Sequence, residues 1–269
     1  MASTTKIAVV GCGWLGFPLA QNLVQKGYEV IGTTTTVEKL PQLRSAGIVP
    51  VLLNVNDADA NFEAVLNVDV LVLNLPPSKQ VNQDGLLFPH LIQKIQQSNL
   101  KALVYTSSTS VYPNLNREID ESDAQHSISQ HSGIDLLALE QAILSIGIPT
   151  TIVRLGGLFG AERKPGRFLA GKKNVKGGST PVNLLHLDDA VAIISQIVLK
   201  QAYNEVFNAV SPEHPSKLRF YSAAAQKLNL EQPVFAEEEK EVSFKIVSCR
   251  HLQKTLNYKF IHPDPLNAL

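Results

Sequence analysis

The sequence predicts an α/β fold built on a doubly wound parallel sheet, with a small C-terminal lobe. Three observations support this prediction. An apolar run ends in a glycine-rich turn near the N-terminus, and strand-like and helix-like segments then alternate along most of the chain. The chain has 269 residues, of which 44% are hydrophobic and 18% charged, which is enough for one large α/β domain with an ordinary interior and surface.

The glycine-rich turn is the first element of this pattern. An apolar run is followed by Gly11, Gly13 and Gly16, residues 15–26 carry apolar side chains at helical spacing, and residues 28–31 resemble a second strand. A strand, a G-x-G-x-x-G turn, a helix and a strand in this order form the dinucleotide-binding fingerprint of a Rossmann-like sheet. The glycines permit a tight turn, close approach of backbone to a pyrophosphate, and packing of helix on strand. We therefore predict that a dinucleotide is bound by Gly11, Gly13, Trp14, Leu15 and Gly16. The alternative is a glycine turn that binds nothing.

The remaining elements are predicted from periodicity and from turn residues. Strands are expected at residues 48–54, 69–75, 101–107, 150–154 and 206–210, and helices at residues 86–98, 134–146 and about 188–200. Asp188 or Asp189 is expected to cap the last of these helices. Because ligands of such sheets bind beyond the carboxyl ends of the strands, the residues after each strand are the candidates for a site.

The residues after the second strand bear on which dinucleotide is bound. Four threonines stand where an acidic residue would hold the ribose 2′-hydroxyl of NAD. No carboxylate there repels a 2′-phosphate, and hydroxyls together with Lys39 can accept one. We therefore expect NADP rather than NAD, bound in part by Thr33, Thr34, Thr35 and Thr36.

Polar or stiff segments follow the next three strands. Asn54 is a candidate for the adenine edge, with a solvated turn as an equal alternative. Thr106 and Ser107 belong to a hydroxyl-rich stretch at the expected nicotinamide end, where a hydroxyl can orient a carbonyl or an alcohol. Two prolines stiffen the segment after the fourth strand, which suits a wall beside a dinucleotide made by Leu75, Pro76 and Pro77.

Composition excludes several function classes. The chain has 24 basic residues (lysine and arginine) and 24 acidic residues (aspartate and glutamate), so its formal net charge is zero. Its net charge therefore does not favour a nucleic acid or an anionic membrane as a partner. No run of about 18 apolar residues predicts a membrane span. Cys12 and Cys249 are the only cysteines and lack the spacing of a disulfide framework or a metal site, which favours a reducing, cytoplasmic setting. His186 with Asp188 and Asp189 has no third ligand at a suitable spacing, so no metal site is expected.

Four segments together resemble the extended, epimerase/dehydratase-like branch of the short-chain dehydrogenase/reductase superfamily. They are the glycine turn and residues 105–112 (YTSSTSVY), 154–160 (RLGGLFG) and 182–190 (VNLLHLDDA), and residues 245–260 look like the family's closing segment. The resemblance implies one unit over residues 1–269. An NAD(P)-binding core over about residues 1–160 precedes a substrate-binding lobe over about 161–269, into which core elements return. It also implies a small-molecule substrate and leaves a homodimer, common among such proteins, as an option.

The usual catalytic pair of that family is absent. The family uses a tyrosine followed four residues later by a lysine, and none of the six tyrosines here is followed in that way. Ser108 matches the family's catalytic serine or threonine, while Tyr112 and His131 are candidates to replace the missing acid. The alternatives are a packed aromatic ring for Tyr112 and a surface histidine at the start of a helix for His131. The glycine turn is also one residue tighter than the family's usual G-x-x-G-x-x-G. The chain therefore resembles atypical members that keep the cofactor fold and lose the usual active site.

Substrate contacts are expected from the second half of the chain. The resemblance places the basic stretch at residues 163–176 beside the substrate lobe, where Arg163 and Arg167 can clamp an anionic, phosphorylated or nucleotide-linked molecule. A solvated loop is the alternative interpretation. Asn183 is a further candidate for contact with substrate.

Three functions are compatible with these observations. The first is an NAD(P)-binding oxidoreductase or epimerase of atypical mechanism. The second is a non-catalytic NADP-binding sensor or regulatory protein, which the missing catalytic pair supports. The third is a hydroxyacid dehydrogenase of the hydroxyisobutyrate type, which residues 11–30 resemble and whose nucleotide domain precedes a long all-helical domain.

Overall fold

The computed structural model describes residues 5–57, 59–75, 89–124, 136–237 and 242–269. Its strands are β1 (Lys6–Val10), β2 (Glu29–Thr34), β3 (Val49–Leu52), β4 (Val70–Leu73), β5 (Ala102–Ser108), β6 (Glu118–Ile119), β7 (Thr150–Leu155), β8 (Gly157–Phe159), β9 (Leu184–His186), β10 (Val206–Ala209) and β11 (Ile246–Val247). Seven of them form a parallel sheet in the order β10-β7-β5-β4-β1-β2-β3. The order runs outward from β1 in both directions, which confirms the predicted doubly wound sheet.

Helices cover both faces of this sheet. They are α1 (Gly16–Gln25), α2 (Leu40–Ser45), α3 (Glu63–Leu66), α4 (Pro89–Gln96), α5 (Leu136–Leu144), α6 (Gly166–Leu169), α7 (Leu187–Lys200), α8 (Lys217–Lys227) and α9 (Arg250–Leu256). Buried side chains of α1, α2, α7 and α9 share a core with Ile7 and Val9, whereas those of α3, α4 and α5 share the opposite core with Ala8 and Val10. Because alternate residues of β1 serve two cores, residues 7–10 of the strand form an uninterrupted apolar run.

Two small parallel sheets lie outside the central one. β8 pairs with β9, and β6 pairs with β11. Phe159, Leu184 and Phe220 form a third apolar cluster, and α6 packs against α8 beside it. β10 and α7 come late in the chain but belong to the central sheet and its helical layer.

Two local expectations need correction. β2 continues to Thr34, so Thr33 and Thr34 are the last residues of the strand and do not follow it. Neither Asp188 nor Asp189 caps α7: the N-cap is His186, whose Nδ1 accepts a hydrogen bond from the backbone N–H of Asp188 at 3.2 Å. An imidazole nitrogen therefore accepts the hydrogen bond from an N–H group of the first helical turn. We had expected a carboxylate in that position.

The described residues do not form the all-helical second domain of a hydroxyisobutyrate-type enzyme. After β5, the strands β7 and β10 extend the same sheet, and α7 packs on α1 and α9. That alternative is therefore wrong for the fold. No helix in the described ranges has the length and apolar character needed to cross a membrane.

Candidate functional site

A cavity of about 600 Å³ opens where β1, β2, β4, β5 and β7 reach their carboxyl ends. This volume is typical of a small-molecule or cofactor site. The candidate residues that line the cavity are Gly11, Gly13, Trp14, Leu15, Thr33, Thr34, Thr35, Thr36, Asn54, Leu75, Thr106, Ser107, Ser108 and Arg163. Pro76, Pro77 and His131 lie outside the residues that the structure describes.

The glycines of the turn have three different structural roles. Gly11 has a φ of +98°, and a Cβ there would lie 2.2 Å from the carbonyl oxygen of Asn74. At Gly16 a Cβ would lie 2.1 Å from the carbonyl oxygen of Gly11, so this glycine permits α1 to pack on the turn. At Gly13 a Cβ would meet nothing within 4 Å. Gly13 therefore has an open face on the cavity, as a backbone that approaches a pyrophosphate requires.

Asn74 ties the glycine turn to two neighbouring strands. Its Nδ2 donates to the carbonyl oxygen of Gly11 at 3.0 Å, and its Oδ1 accepts from Thr106 Oγ1 at 3.1 Å. The backbone N–H of Gly11 donates to Thr33 Oγ1 at 3.0 Å. Asn74 also lines the cavity and was missed as a site residue, although a polar residue at the end of an apolar strand was a usable signal.

Cys12 lies in the turn but has the properties of a structural residue. It is buried, and its Sγ donates to the carbonyl oxygen of Val9 at 3.5 Å. Burial raises the pKa of the Cys12 thiol to about 12. Since the thiolate is the reactive form, this cysteine is not a nucleophile at neutral pH.

The β2 side of the cavity is polar and contains a cation. Thr33 to Thr36 line it together with Lys39, Asn54 and Asn56. Thr34 Oγ1 accepts from the backbone N–H of Thr36 at 3.1 Å, which holds the end of β2 in a turn. Among the described residues, no aspartate or glutamate lines the cavity, and its cations are Lys39 and Arg163. The electrostatics of the cavity therefore favour an anionic ligand.

The β5 side presents hydroxyl groups. Ser108 ends β5 and caps the following 3₁₀ turn, its Oγ accepting from the backbone N–H of Ser110 at 3.2 Å. Its hydroxyl hydrogen can still be donated into the cavity. Ser107 Oγ donates to Glu140 Oε1, so the neighbouring hydroxyl is directed away into a buried network.

That network consists of the Arg154–Glu140 ion pair and the hydroxyl of Tyr112, which is hydrogen-bonded to Arg154. Arg154 donates through Nε and Nη2 to the carboxylate of Glu140, with an Nη2–Oε2 distance of 2.7 Å, and both side chains are at least 95% buried. Arg154 Nη1 donates to the hydroxyl of Tyr112, which donates to Asn208 Oδ1 at 2.6 Å. Burial lowers the pKa of Arg154, but the hydrogen bond and charge of Glu140 outweigh it, so the net shift is upward.

The position of Tyr112 does not favour the catalytic role expected for it. Its side chain is fully buried, it is not among the residues that line the cavity, and its hydroxyl is bonded on both sides. Burial raises the pKa of Tyr112 to about 12. A phenol with this pKa is a poor proton donor at neutral pH, so the structure favours a packing role.

The three residues expected to contact substrate have different environments. Arg163 lines the cavity, with its guanidinium over the ring of Trp14. Arg167 is exposed on α6 and is not among the lining residues. The side chain of Asn183 donates to the carbonyl oxygen of Lys245 and accepts from the backbone N–H of Val247, so it anchors the C-terminal segment outside the cavity lining.

Comparisons with known proteins agree with this geometry. A family model described as NAD(P)H-binding matches residues 11–184, which include most of the cavity. Protein YeeZ of Escherichia coli (strain K12) is 33% identical over 271 residues, covering 97% of each chain.

Solved structures show the same fold. A functionally unknown conserved protein from Silicibacter pomeroyi matches with a TM-score of 0.82 and 18% identity, over 98% of this chain and 96% of that one. UDP-glucuronic acid 4-epimerase from Bacillus cereus, solved in complex with NAD, matches with a TM-score of 0.78 and 16% identity, over 98% of this chain and 95% of the epimerase. These similarities support an NAD(P)-binding, epimerase/dehydratase-like fold.

Proposed function

This chain belongs to the NAD(P)H-binding family, and we propose that it is an NAD(P)-dependent oxidoreductase or epimerase that acts on a small anionic molecule by an atypical mechanism. The observation that carries the proposal is the open face of Gly13 in a cavity lined by hydroxyls and two cations, with no carboxylate among its described lining residues. The turn at Gly11–Gly16 would hold the pyrophosphate, and the start of α1 would add backbone N–H groups.

NADP is the proposed cofactor in preference to NAD. Thr35, Thr36 and Lys39 lie where β2 ends, which is where the ribose of a dinucleotide meets such a sheet. A 2′-phosphate at this position would be attracted by the positive charge of Lys39, and no carboxylate among the described lining residues would repel it. A charge-assisted hydrogen bond is worth about 1.5–3 kcal/mol.

The experiment on cofactor choice measures the Kd of NADPH and of NADH for three proteins. We expect wild type to bind NADPH more tightly, and Lys39→Ala to raise the NADPH Kd about tenfold while leaving that of NADH within twofold. Lys26→Ala, an exposed lysine at the far end of α1, is the matched control and changes neither. A tighter Kd for NADH in wild type would show that NADP is the wrong choice.

The substrate is proposed to carry negative charge, in the manner of a nucleotide-linked or phosphorylated compound. Arg163 is the cation at the cavity wall on the side of β8. The similar UDP-glucuronic acid 4-epimerase is named for such a substrate, which makes UDP-sugars the first compounds to test.

In chemical terms, a nicotinamide cofactor supplies or accepts a hydride when it is bound. The residue of this chain placed to assist is Ser108, whose hydroxyl can donate to a substrate carbonyl or alcohol oxygen in the cavity. The mechanism is atypical because the sequence lacks the tyrosine–lysine pair and the hydroxyl of Tyr112 is held in the buried network. A role for His131, a cytoplasmic setting and a homodimer stay predictions.

The test of activity combines cofactor binding with turnover. Protein is mixed with NADP or NADPH and a panel of aldehydes, ketones and UDP-sugars, and conversion is followed by cofactor absorbance and by product analysis. We expect turnover of at least one anionic compound, lost in Ser108→Ala with the cofactor Kd unchanged. Cofactor binding without turnover across the panel would favour the second candidate, a non-catalytic NADP-binding sensor, which the absent catalytic pair also supports.

A further inference from the structure

Two histidines and an aspartate meet at the start of α7. His262 Nε2 lies 2.9 Å from Asp188 Oδ2, and His186 Nδ1 lies 3.3 Å from the same oxygen. One ligand atom from each residue can be chosen so that all three lie within 4.8 Å of one another. We propose that His186, Asp188 and His262 form a binding site for one divalent first-row transition-metal ion of the Zn²⁺ type.

His262 is brought to this place by a buried carboxylate. Asp189 is fully buried and accepts hydrogen bonds from the hydroxyl of Tyr258 at 2.7 Å and from the backbone N–H groups of Ile261 and His262 at 2.8 and 2.9 Å. Ser211 Oγ donates to the carbonyl oxygen of His262 at 3.2 Å. The backbone of His262 is therefore held on both sides, as supporting residues of a metal site hold their ligands.

His186 is held by packing. Its ring lies edge-on to Phe159, with 5.1 Å between centroids. Gly160 has a φ of +114°, and a Cβ there would lie 2.5 Å from Nε2 of His186, so only glycine leaves room for the imidazole. Because Nδ1 accepts the N–H of Asp188, this nitrogen carries a lone pair and no proton, which is the form that binds a metal. A bound ion competes with that helix-capping hydrogen bond.

The ligand set and its exposure indicate the class of ion. Imidazole nitrogen and carboxylate oxygen suit Zn²⁺ and its neighbours, with metal–ligand distances of about 2.0–2.2 Å. Tetrahedral ligands at such distances lie about 3.3 Å apart, close to the two nitrogen–oxygen separations of 2.9 and 3.3 Å. The full set of three ligand atoms lies within 4.8 Å. The Asp188 side chain is 56% exposed, which leaves a side of the site for water.

An ordinary hydrogen-bonded cluster is the competing explanation, since Asp188 also accepts from His262 without any ion. The experiment uses the full chain with no affinity tag. Zn²⁺ is titrated by calorimetry, and Co²⁺ is titrated by its visible absorption spectrum, which reports nitrogen and oxygen ligation directly. We expect one ion per chain, with affinity lowered at least about tenfold in both His262→Gln and Asp188→Asn.

A matched control is His251→Gln. His251 Nε2 also lies 2.9 Å from a carboxylate, that of Glu205, but no third histidine, cysteine or carboxylate of the described residues joins this pair. This variant is expected to bind Zn²⁺ as wild type does, and circular dichroism confirms that all three variants are folded. Wild type that binds no ion at micromolar concentration, or equal loss of affinity in His251→Gln, would overturn the proposal.

Discussion

The guanidinium carbon of Arg163 lies 4.3 Å from the centroid of the Trp14 ring. Trp14 belongs to the glycine turn, and Arg163 belongs to the turn that follows β8, so this contact joins two walls of the cavity. Trp14 is the only tryptophan in the sequence. The tryptophan fluorescence of the protein therefore reports on the surroundings of this one side chain, which include Arg163.

Arg163→Ala is predicted to change the fluorescence of Trp14. Removal of the guanidinium exposes the indole to water and removes a cation–π contact worth about 0.5–1 kcal/mol. We expect a red shift of the emission maximum, while Arg167→Ala, which removes an exposed side chain of α6, leaves the spectrum unchanged. The same shift in both variants, or in neither, would contradict the contact.

Gly13→Asp is predicted to abolish dinucleotide binding without unfolding the protein. There is open space for the new side chain, so the midpoint of thermal unfolding stays near that of wild type. Its carboxylate then faces a pyrophosphate, and like charges brought together cost several kcal/mol, about a hundredfold or more in Kd for NADPH.

Two further glycine variants distinguish an effect on cofactor binding from an effect on folding. Gly13→Ala adds a methyl without charge and should lose less affinity than Gly13→Asp. Gly11→Ala places a Cβ 2.2 Å from the carbonyl oxygen of Asn74 at a positive φ, and should lower the unfolding midpoint. If Gly13→Asp binds NADPH as tightly as wild type, the cofactor does not occupy this cavity.

Glu140→Ala is predicted to destabilise the protein severely. It leaves the guanidinium of Arg154 buried without its carboxylate, which typically costs about 3–5 kcal/mol of unfolding free energy. Arg117→Ala removes a more exposed pair with Asp123 and should cost at most about 1 kcal/mol. Urea denaturation measures the unfolding free energy of both variants. Similar losses would show that the buried pair contributes no more to stability than the exposed one.

The unfolding free energy of wild type is predicted to rise with pH relative to that of Lys245→Met. Burial lowers the pKa of Lys245 from its ordinary value of 10.5 to about 8, while its Nζ donates to the carbonyl oxygen of Tyr112. Between these values the unfolded chain binds more protons than the folded one, so raising the pH favours folding.

Urea denaturation at pH 7.5, 9 and 10 tests this sign. The unfolding free energy of wild type minus that of Lys245→Met should increase as the pH rises through this window. An exposed lysine, Lys26, provides the control variant Lys26→Met. A difference that falls with pH, or does not change, would mean that the folded protein does not lower the pKa of Lys245.

The central sheet and the glycine turn could be predicted because their signals are local. An apolar run followed by spaced glycines needs no knowledge of distant residues, and most residues predicted for the cofactor line one cavity. The strands β6, β8, β9 and β11 are only two or three residues long, too short for any periodicity to appear.

Contacts between distant residues could not be predicted. His262 lies 74 residues from Asp188, so no spacing rule connects them, and Asp189 resembled a helix cap until its buried partners were known. Asn183 follows the family pattern in sequence, but its side chain is taken up by residues 245 and 247.

The partners of Asp189 also set an order of events in folding. Its carboxylate is fully buried, and its donors come from residues 258 to 262, about seventy positions later in the chain. Packing of α7 on the sheet before those donors are in place would bury a carboxyl group without hydrogen-bond partners, which is costly. We therefore expect this helical layer to close late in folding, after residues 258–262 have docked.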